Sequence, residues 1–261
     1  MRLAVIGHPI AHSLSPSLHE QWLRASGLFG RYDALDVTAD ELAPLFQSMR
    51  DGDYDGFNVT IPYKEAVIPL LDDLEDSAKS AGAVNTVYKR DGRLIGANTD
   101  GVGLVTALDP YTDWSGRVLV IGAGGAARGI ISALPTRNVT VTNRTIDRAE
   151  RLAKTFGIES QPLGDVDVAC YDVIIQTTSV GMDGVQSPLP LNGLRQNTVI
   201  CDIIYRPLVT PFLSDATIRG GKTVNGTAMF VGQGALAFER WTGVKPDQIV
   251  GMKLIESLLE E

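Results

Sequence analysis

The chain has 261 residues, enough for one large or two ordinary domains, and its 44% hydrophobic and 21% charged content suits a globular protein with a full core. A formal net charge of −8 gives no electrostatic footprint for nucleic acid or an anionic membrane, so neither is expected as a partner. The apolar run in "MRLAVIGHPIAH" is too short for a signal peptide and no segment approaches a membrane span, so a cytoplasmic setting is expected.

In chain order, an apolar strand is expected over 2–7, a helix over 16–26, a strand over 31–37 and a helix over 39–50 that Pro44 should shorten or kink. The strand starting at Gly56 runs into "FNVTIPYKEAV" (57–67), where Pro62 cannot donate to a sheet ladder. The strand should therefore end near Thr60, and 64–68 read as the first turn of a helix. Asn58, Thr60 and Lys64 are thereby gathered at one corner. The acidic run "LDDLEDSAK" (71–79) reads as a solvated helix face, and 83–101 as a hairpin about Asp91-Gly92. Strand, helix, strand, helix, strand and hairpin make an α/β unit of about a hundred residues.

A second unit restarts at 117–135 with an apolar strand, a glycine turn and a small-residue helix. A strand at 138–144, a helix at 145–157, buried strands at 171–179 and 198–205 and a helix at 211–221 follow, the pattern of a doubly wound parallel sheet. From Gly226 onward there are two helices and no strand, and the pattern leaves open which unit they cover. Cys170 and Cys201 share no metal or redox spacing and lie in strand-like runs, so both are expected to be buried.

Gly122, Gly124 and Ala127 fit G-x-G-x-x-G/A between a strand and a helix, with Ala123, Gly125 and Ala126 completing the turn. The first glycine permits the sharp turn, the second lets backbone N–H groups approach a pyrophosphate, and the small third residue keeps helix and sheet close. The alternative is a helix start that uses small residues only for packing. An NAD site wants a carboxylate about 20 residues on, for the ribose hydroxyls. Here stand Asn143, Arg144, Thr145 and Arg148 instead, donors suited to a 2′-phosphate, so NADP is the expected cofactor. Asp147 could alternatively pair with one of these arginines on the surface.

All three histidines lie in "HPIAHSLSPSLHE" (8–20), where Pro9 argues against His8 and His12 sharing a helix face, so no metal site is expected. Ser13 and Ser15 precede a helix start: they could clamp a carboxylate, or Ser15 could cap the helix, and these residues alone favour neither. Asn85 and Asp100 fall at strand ends, with N-capping as the alternative for Asp100. Ser13, Ser15, Asn58, Thr60, Lys64, Asn85 and Asp100 would line one edge of one sheet, a set suited to a small acid with several hydroxyls.

With "GHPIAHSLSPSLH", "FNVTIPYKE", "GAVNTV", "NTDG", "GAGGAAR", "NRT", "TTSVGM", "DIIYRP" and "VGQGALAF" in that order, the chain resembles the shikimate dehydrogenase family nearly end to end. The resemblance implies an α/β substrate domain at 1–100, a doubly wound Rossmann-type NADP domain at 101–224, and terminal helices at 225–261 returning to the substrate domain. It implies NADPH-dependent reduction of 3-dehydroshikimate to shikimate in aromatic amino-acid biosynthesis. Lys64 and Asp100 would be catalytic, and Ser13, Ser15 and Tyr205 would hold the carboxylate. Thr60, Lys64, Asn85, Asp100 and Gln233 would meet the ring hydroxyls. Ile203, Gly226 and Met229 would lie on the nicotinamide side. The chain departs from the commoner family pattern at Gln176 and Arg206, neither a catalytic group. Alternatives are a quinate/shikimate dehydrogenase using NAD and a non-catalytic metabolite or redox sensor; the partner is a small-molecule substrate, with a homodimer left open.

Overall fold

The run 2–7 forms β1 (Arg2–Gly7), buried from its second residue onward, which requires cover on both faces. The computed structural model describes residues 1–260. α1 (Ser15–Ala25) leads to β2 (Arg31–Asp36), and α2 (Leu42–Asp51) to β3 (Gly56–Val59), both strands parallel to β1. β4 (Asp73–Leu74) and α3 (Asp76–Ala81) precede a hairpin of β5 (Thr86–Arg90) and β6 (Arg93–Ala97), which joins β3 antiparallel. Asp91 and Gly92 turn it with φ of 53° and 74°, the left-handed pair that matches strand twist. The six strands lie in the order β2-β1-β3-β5-β6-β4.

α4 (Asp100–Leu108) then leads into β7 (Val118–Ile121), α5 (Gly125–Ala133), β8 (Val139–Thr142), α6 (Ile146–Phe156) and β9 (Glu159–Ser160). β10 (Val173–Gln176), β11 (Val199–Asp202), α7 (Pro211–Ile218) and β12 (Lys222–Val224) complete a wholly parallel sheet ordered β12-β11-β10-β7-β8-β9. Strand order reverses between β7 and β10, the switch point where doubly wound sheets bind ligands. Val118 and Val120 of β7 face a core with Ile130 and Val141, while Leu119 and Ile121 face another with Tyr171 and Phe212.

α8 (Thr227–Thr242) and α9 (Gln248–Glu260) pack on the first sheet and α1. Trp241 Nε1 donates to the Val87 carbonyl at 2.9 Å, and Arg240 grips Glu75 through two nitrogens, the closer contact 2.8 Å. α4 touches both α5 and α8, and glycine makes this feasible. A Cβ on Gly101 would lie 2.1 Å from the Gly129 oxygen of α5, and one on Gly103 would lie 2.9 Å from the Gln233 nitrogen of α8. Two residues apart on a helix, these positions face roughly 200° away from each other.

Several local expectations give way. Pro44 sits in the first turn of α2, where no intrahelical partner needs its missing N–H, so it does not kink the helix; the expected span is nonetheless shortened at its start, because 39–41 form a 3-10 turn and the α-helix begins only at Leu42. Residues 64–67 form turns followed by a short 3-10 segment at Ile68–Leu70, not an α-helix. The run 71–79 is not one helix face: Asp73–Leu74 add an edge strand and Glu75 is committed to Arg240 and Tyr88. Cys201 is buried, but Cys170 is exposed, because it lies in a surface 3-10 turn rather than in β10.

Gly101→Ala should destabilise the fold by about 1–3 kcal/mol, the usual cost of overpacking a close contact. Gly164→Ala, where a Cβ would meet no atom within 4 Å, is the control and should leave the urea midpoint nearly unchanged. Equal midpoints for the two variants would refute the close-packing argument.

Candidate active site

β3 ends at Val59, and the backbone turns at Thr60–Lys64 so that the Lys64 ammonium reaches the Asp100 carboxylate. Val84 N–H donates to the Lys64 carbonyl at 2.7 Å and anchors this corner on the loop entering β5. The pair is nearly dry, with the Lys64 side chain 12% and the Asp100 side chain 6% exposed. Asn85 Nδ2 donates to Asp100 Oδ1 at 2.8 Å and to Thr99 Oγ1 at 2.9 Å. Thr99 is the N-cap of α4 and Asp100 lies in its first turn. The Asp100 carboxylate makes no capping bond and serves Lys64 and Asn85 instead, which excludes the capping alternative.

Gln233 of α8 accepts from Asn85 Nδ2 at 3.4 Å and donates to the Phe230 carbonyl at 2.8 Å. Thr60 lies half-buried beside Gly7, its backbone N–H bonded to the Ile6 carbonyl at 2.9 Å. Ser15 does not cap α1. It is the first helical residue, and its N–H donates to the Ser13 hydroxyl at 3.2 Å, so the local capping bond comes from Ser13. Tyr205 brings its hydroxyl against the Leu14 backbone and Ser13, and burial raises its pKa above the usual tyrosine value. Lys64, Asp100, Asn85 and Gln233 thus form one hydrogen-bonded cluster at a pole of the first sheet, while Ser13, Ser15 and Tyr205 gather at the start of α1.

The glycine turn lies across from that pole. Gly122 adopts φ 118°, and Gly124 is the N-cap of α5 without a side-chain cap, leaving the first N–H groups of the helix for an anion. A Cβ at Gly124 would meet open space, whereas one at Gly125 would strike Lys64 Cβ at 3.0 Å. The lysine stem therefore rests on the turn. Gly122 N–H donates to the Thr142 carbonyl at 2.8 Å, placing the β8 tip beside the turn. There Arg144, Thr145 and Arg148 are exposed, the Thr145 hydroxyl makes no capping bond, and Asn143 Nδ2 donates to the Thr145 carbonyl at 3.0 Å. Among the described residues neither arginine has an ion-pair partner, Asp147 included, so the surface-pair alternative fails. Ile203, Gly226 and Met229 meet at the β11 tip, where a Cβ on Gly226 would lie 2.1 Å from the Ile203 oxygen. Bare N–H groups, an open glycine and unpaired guanidiniums form a donor set that fits a dinucleotide with an extra phosphate. No group of three or more metal-ligating side chains occurs among the described residues; His8 pairs with Asp36.

Protein-family models for the shikimate dehydrogenase substrate-binding domain, shikimate / quinate 5-dehydrogenase and the shikimate 5′-dehydrogenase C-terminal domain match residues 5–87, 109–200 and 226–253. The NADP(+) shikimate dehydrogenase of Exiguobacterium sp. strain AT1b is 72% identical over 261 residues, all of both chains. The chain belongs to the shikimate dehydrogenase family. Among solved structures, shikimate 5-dehydrogenase from Thermus thermophilus in complex with NADP(H) and shikimate aligns with a TM-score of 0.92 at 40% identity, covering 98% of this chain and 99% of that one. Quinate dehydrogenase from Corynebacterium glutamicum in complex with NAD aligns with a TM-score of 0.90 at 27% identity, covering 98% and 99%.

The two departures from the commoner family pattern stand in different surroundings. Gln176 is buried and closes the turn after β10, donating to the Val180 carbonyl at 2.8 Å and accepting from Thr178 N–H at 2.9 Å; Arg206 is exposed. Thr86 and Thr99, which hold the Asn85 oxygen, were not singled out by sequence reading, although Thr86 closes the "GAVNT" motif and Thr99 lies inside "ANTDG". Asp202 also escaped notice. It ends β11 and holds the loop carrying Ile203 and Tyr205, accepting from Ile204 N–H at 3.0 Å and from the Thr210 hydroxyl at 2.8 Å. Burial raises its pKa to about 6, against the lowering effect of those two donors.

A raised carboxyl pKa means that native Asp202 binds its proton more tightly than the unfolded chain does. Stability from this group should therefore increase as pH falls through about 6 towards the unfolded value of 3.8. Urea midpoints of the wild type, measured from pH 7.5 to 4.5 relative to Asp202→Asn, should rise on acidification. A constant difference would show that the site does not titrate in this window.

Proposed function

We propose that this protein is a cytoplasmic, NADP-dependent shikimate dehydrogenase, interconverting 3-dehydroshikimate and shikimate in aromatic amino-acid biosynthesis. The observation that carries the reading is the buried Lys64 ammonium, paired with Asp100 and resting on the glycine turn. No helix is long and apolar enough to cross a membrane among the described residues. Residues 1–100 with 225–261 would form the substrate unit and 101–224 the cofactor unit, with α4 lying between.

Reducing the ketone requires a hydride at carbon and a proton at oxygen, and bound NADPH supplies the hydride. The chain's own residues do the rest. Lys64 donates a proton from Nζ to the carbonyl oxygen and recovers one in the reverse direction. Asp100 orients that ammonium, and Asn85 fixes Asp100. Ser13, Ser15 and Tyr205 hold the substrate carboxylate, and Thr60, Asn85, Asp100 and Gln233 hold the ring hydroxyls. Residues Gly122 to Ala126 would receive the pyrophosphate, and Asn143, Arg144, Thr145 and Arg148 the 2′-phosphate. Ile203, Gly226 and Met229 would wall the nicotinamide side.

Crossing shikimate and quinate with NADP and NAD in one spectrophotometric assay tests the assignment, and shikimate with NADP should give the highest kcat/KM. Quinate with NAD ahead of it would select the rival activity within the same family. Turnover with none of the four pairs would leave a non-catalytic sensor.

Lys64→Met keeps shape and removes charge, and should lower kcat by roughly 10²–10⁴, the span for a lost general acid–base group. It also strands Asp100, so the assay belongs well below the melting temperature of the variant. Normal kcat would make Lys64 a binding residue. Arg144→Ala and Arg148→Ala should each cost roughly 1.5–3 kcal/mol of NADP binding, the worth of a charge-assisted contact, and leave NAD use little changed. Equal losses with both cofactors would refute the 2′-phosphate assignment.

A further inference from the structure

We infer that Tyr32 and Thr86 are positioning residues for Lys64, through a buried, one-directional chain of hydrogen bonds that passes Asn58 and Asn85 and ends on Asp100. This rests on the reading of Lys64 and Asp100 as the catalytic pair. The Tyr32 hydroxyl donates to Asn58 Oδ1 at 2.7 Å. That commits the Asn58 amide group as donor, to the Asn85 carbonyl at 3.1 Å and to Thr86 Oγ1 at 3.3 Å. The Thr86 hydroxyl, having accepted, sends its own hydrogen to Asn85 Oδ1 at 2.9 Å. Backbone N–H of Thr99, which can only donate, reaches the same oxygen at 2.8 Å. With its oxygen held from that side, Asn85 must present Nδ2 to Asp100 Oδ1, at 2.8 Å. Asp100 Oδ2 is left for Lys64.

Every donor in the chain points towards Asp100. Tyr32, Asn58, Thr86, Asn85 and Asp100 are all buried, so water cannot repair a broken link. Turning the Asn85 amide over would set an oxygen against the Asp100 carboxylate, which would swing away and take the ammonium with it. The Tyr32 end of the chain is held from two sides. His19 stacks on the Tyr32 ring at 4.4 Å and 4°, and Ser15 of the proposed carboxylate clamp faces the Tyr32 hydroxyl. Tyr32 and Thr86 lie behind Asn58 and Asn85 and act through them.

Thr86→Val keeps the shape and removes the hydroxyl; Thr86→Ser keeps the hydroxyl. With shikimate and NADP, Thr86→Val should lose roughly tenfold or more in kcat, as expected for a displaced catalytic group. KM for NADP should change less than about twofold, because the chain lies in the substrate unit, whereas KM for shikimate should rise along with the loss of kcat, because Asn85 and Asp100 also hold the ring hydroxyls. Its solvent deuterium isotope effect on kcat should rise, since proton transfer becomes slower. Thr86→Ser should recover most of the kcat, and Tyr32→Phe should shift kcat and the isotope effect in the same direction as Thr86→Val. Tyr32→Phe carries the same test if Thr86→Val does not fold. Wild type and Lys64→Met run in the same assay. Slow Lys64→Met beside unchanged kcat and isotope effect in Thr86→Val overturns the inference alone, as does Thr86→Ser as slow as Thr86→Val. Full kcat in Lys64→Met overturns the underlying reading and the inference with it.

Discussion

The active site depends on how closely α4 approaches its two neighbours. Gly101 lets α5 come within backbone contact on one side, and Gly103 does the same for α8 on the other. Asp100 stands in the first turn of this helix, Gln233 projects from α8, and the glycine turn opens α5. The three contributions therefore keep a fixed register. A wider spacing on the α5 side would lift Gly125 from Lys64; on the α8 side it would take Gln233 away from Asn85. Arg128 of α5 adds an ion pair across the same seam, reaching Glu65 at 3.5 Å next to Lys64.

The two sets of cations obey different rules. Arg144 and Arg148 stay in water, where a charge costs little to keep and a doubly charged phosphate would repay ordering it. Lys64 and Asp100 are almost dry, so each ion has lost solvation worth several kcal/mol that only good geometry can offset. The Asn85 amide supplies part of that offset. The start of α4 supplies more, because its partial positive charge favours the Asp100 carboxylate in the first turn. The start of α5, lying under Lys64, carries the same sign as the ammonium. An anion on the glycine turn would relieve that opposition at Lys64.

A shared fold does not choose the substrate. The NADP(H)- and shikimate-bound enzyme and the NAD-bound quinate dehydrogenase both superpose on this chain with TM-scores of at least 0.90. Discrimination must lie in side chains within one arrangement of sheets; on the proposed reading these are Ser13, Ser15 and Tyr205 at one end and Arg144 and Arg148 at the other.

Sequence by itself determined what is local or periodic. The buried strands of both sheets, the Asp91-Gly92 turn and the glycine turn before α5 each follow from neighbouring residues and their spacing. The order of nine motifs identified the family, and with it the residues to weigh. Local signals failed where one residue type serves two purposes. Asp100 has the composition of a cap and acts as a counter-ion, Glu75 looks solvated and is held by Arg240, and Cys170 looks like a strand residue and lies on a surface turn. Tertiary structure alone decided which polar groups share the buried space behind Asn85, and that Lys64 rests on Gly125, 61 positions away. Such contacts join residues far apart in the chain, and a buried hydrogen-bond chain takes its direction only when every donor and acceptor is in place.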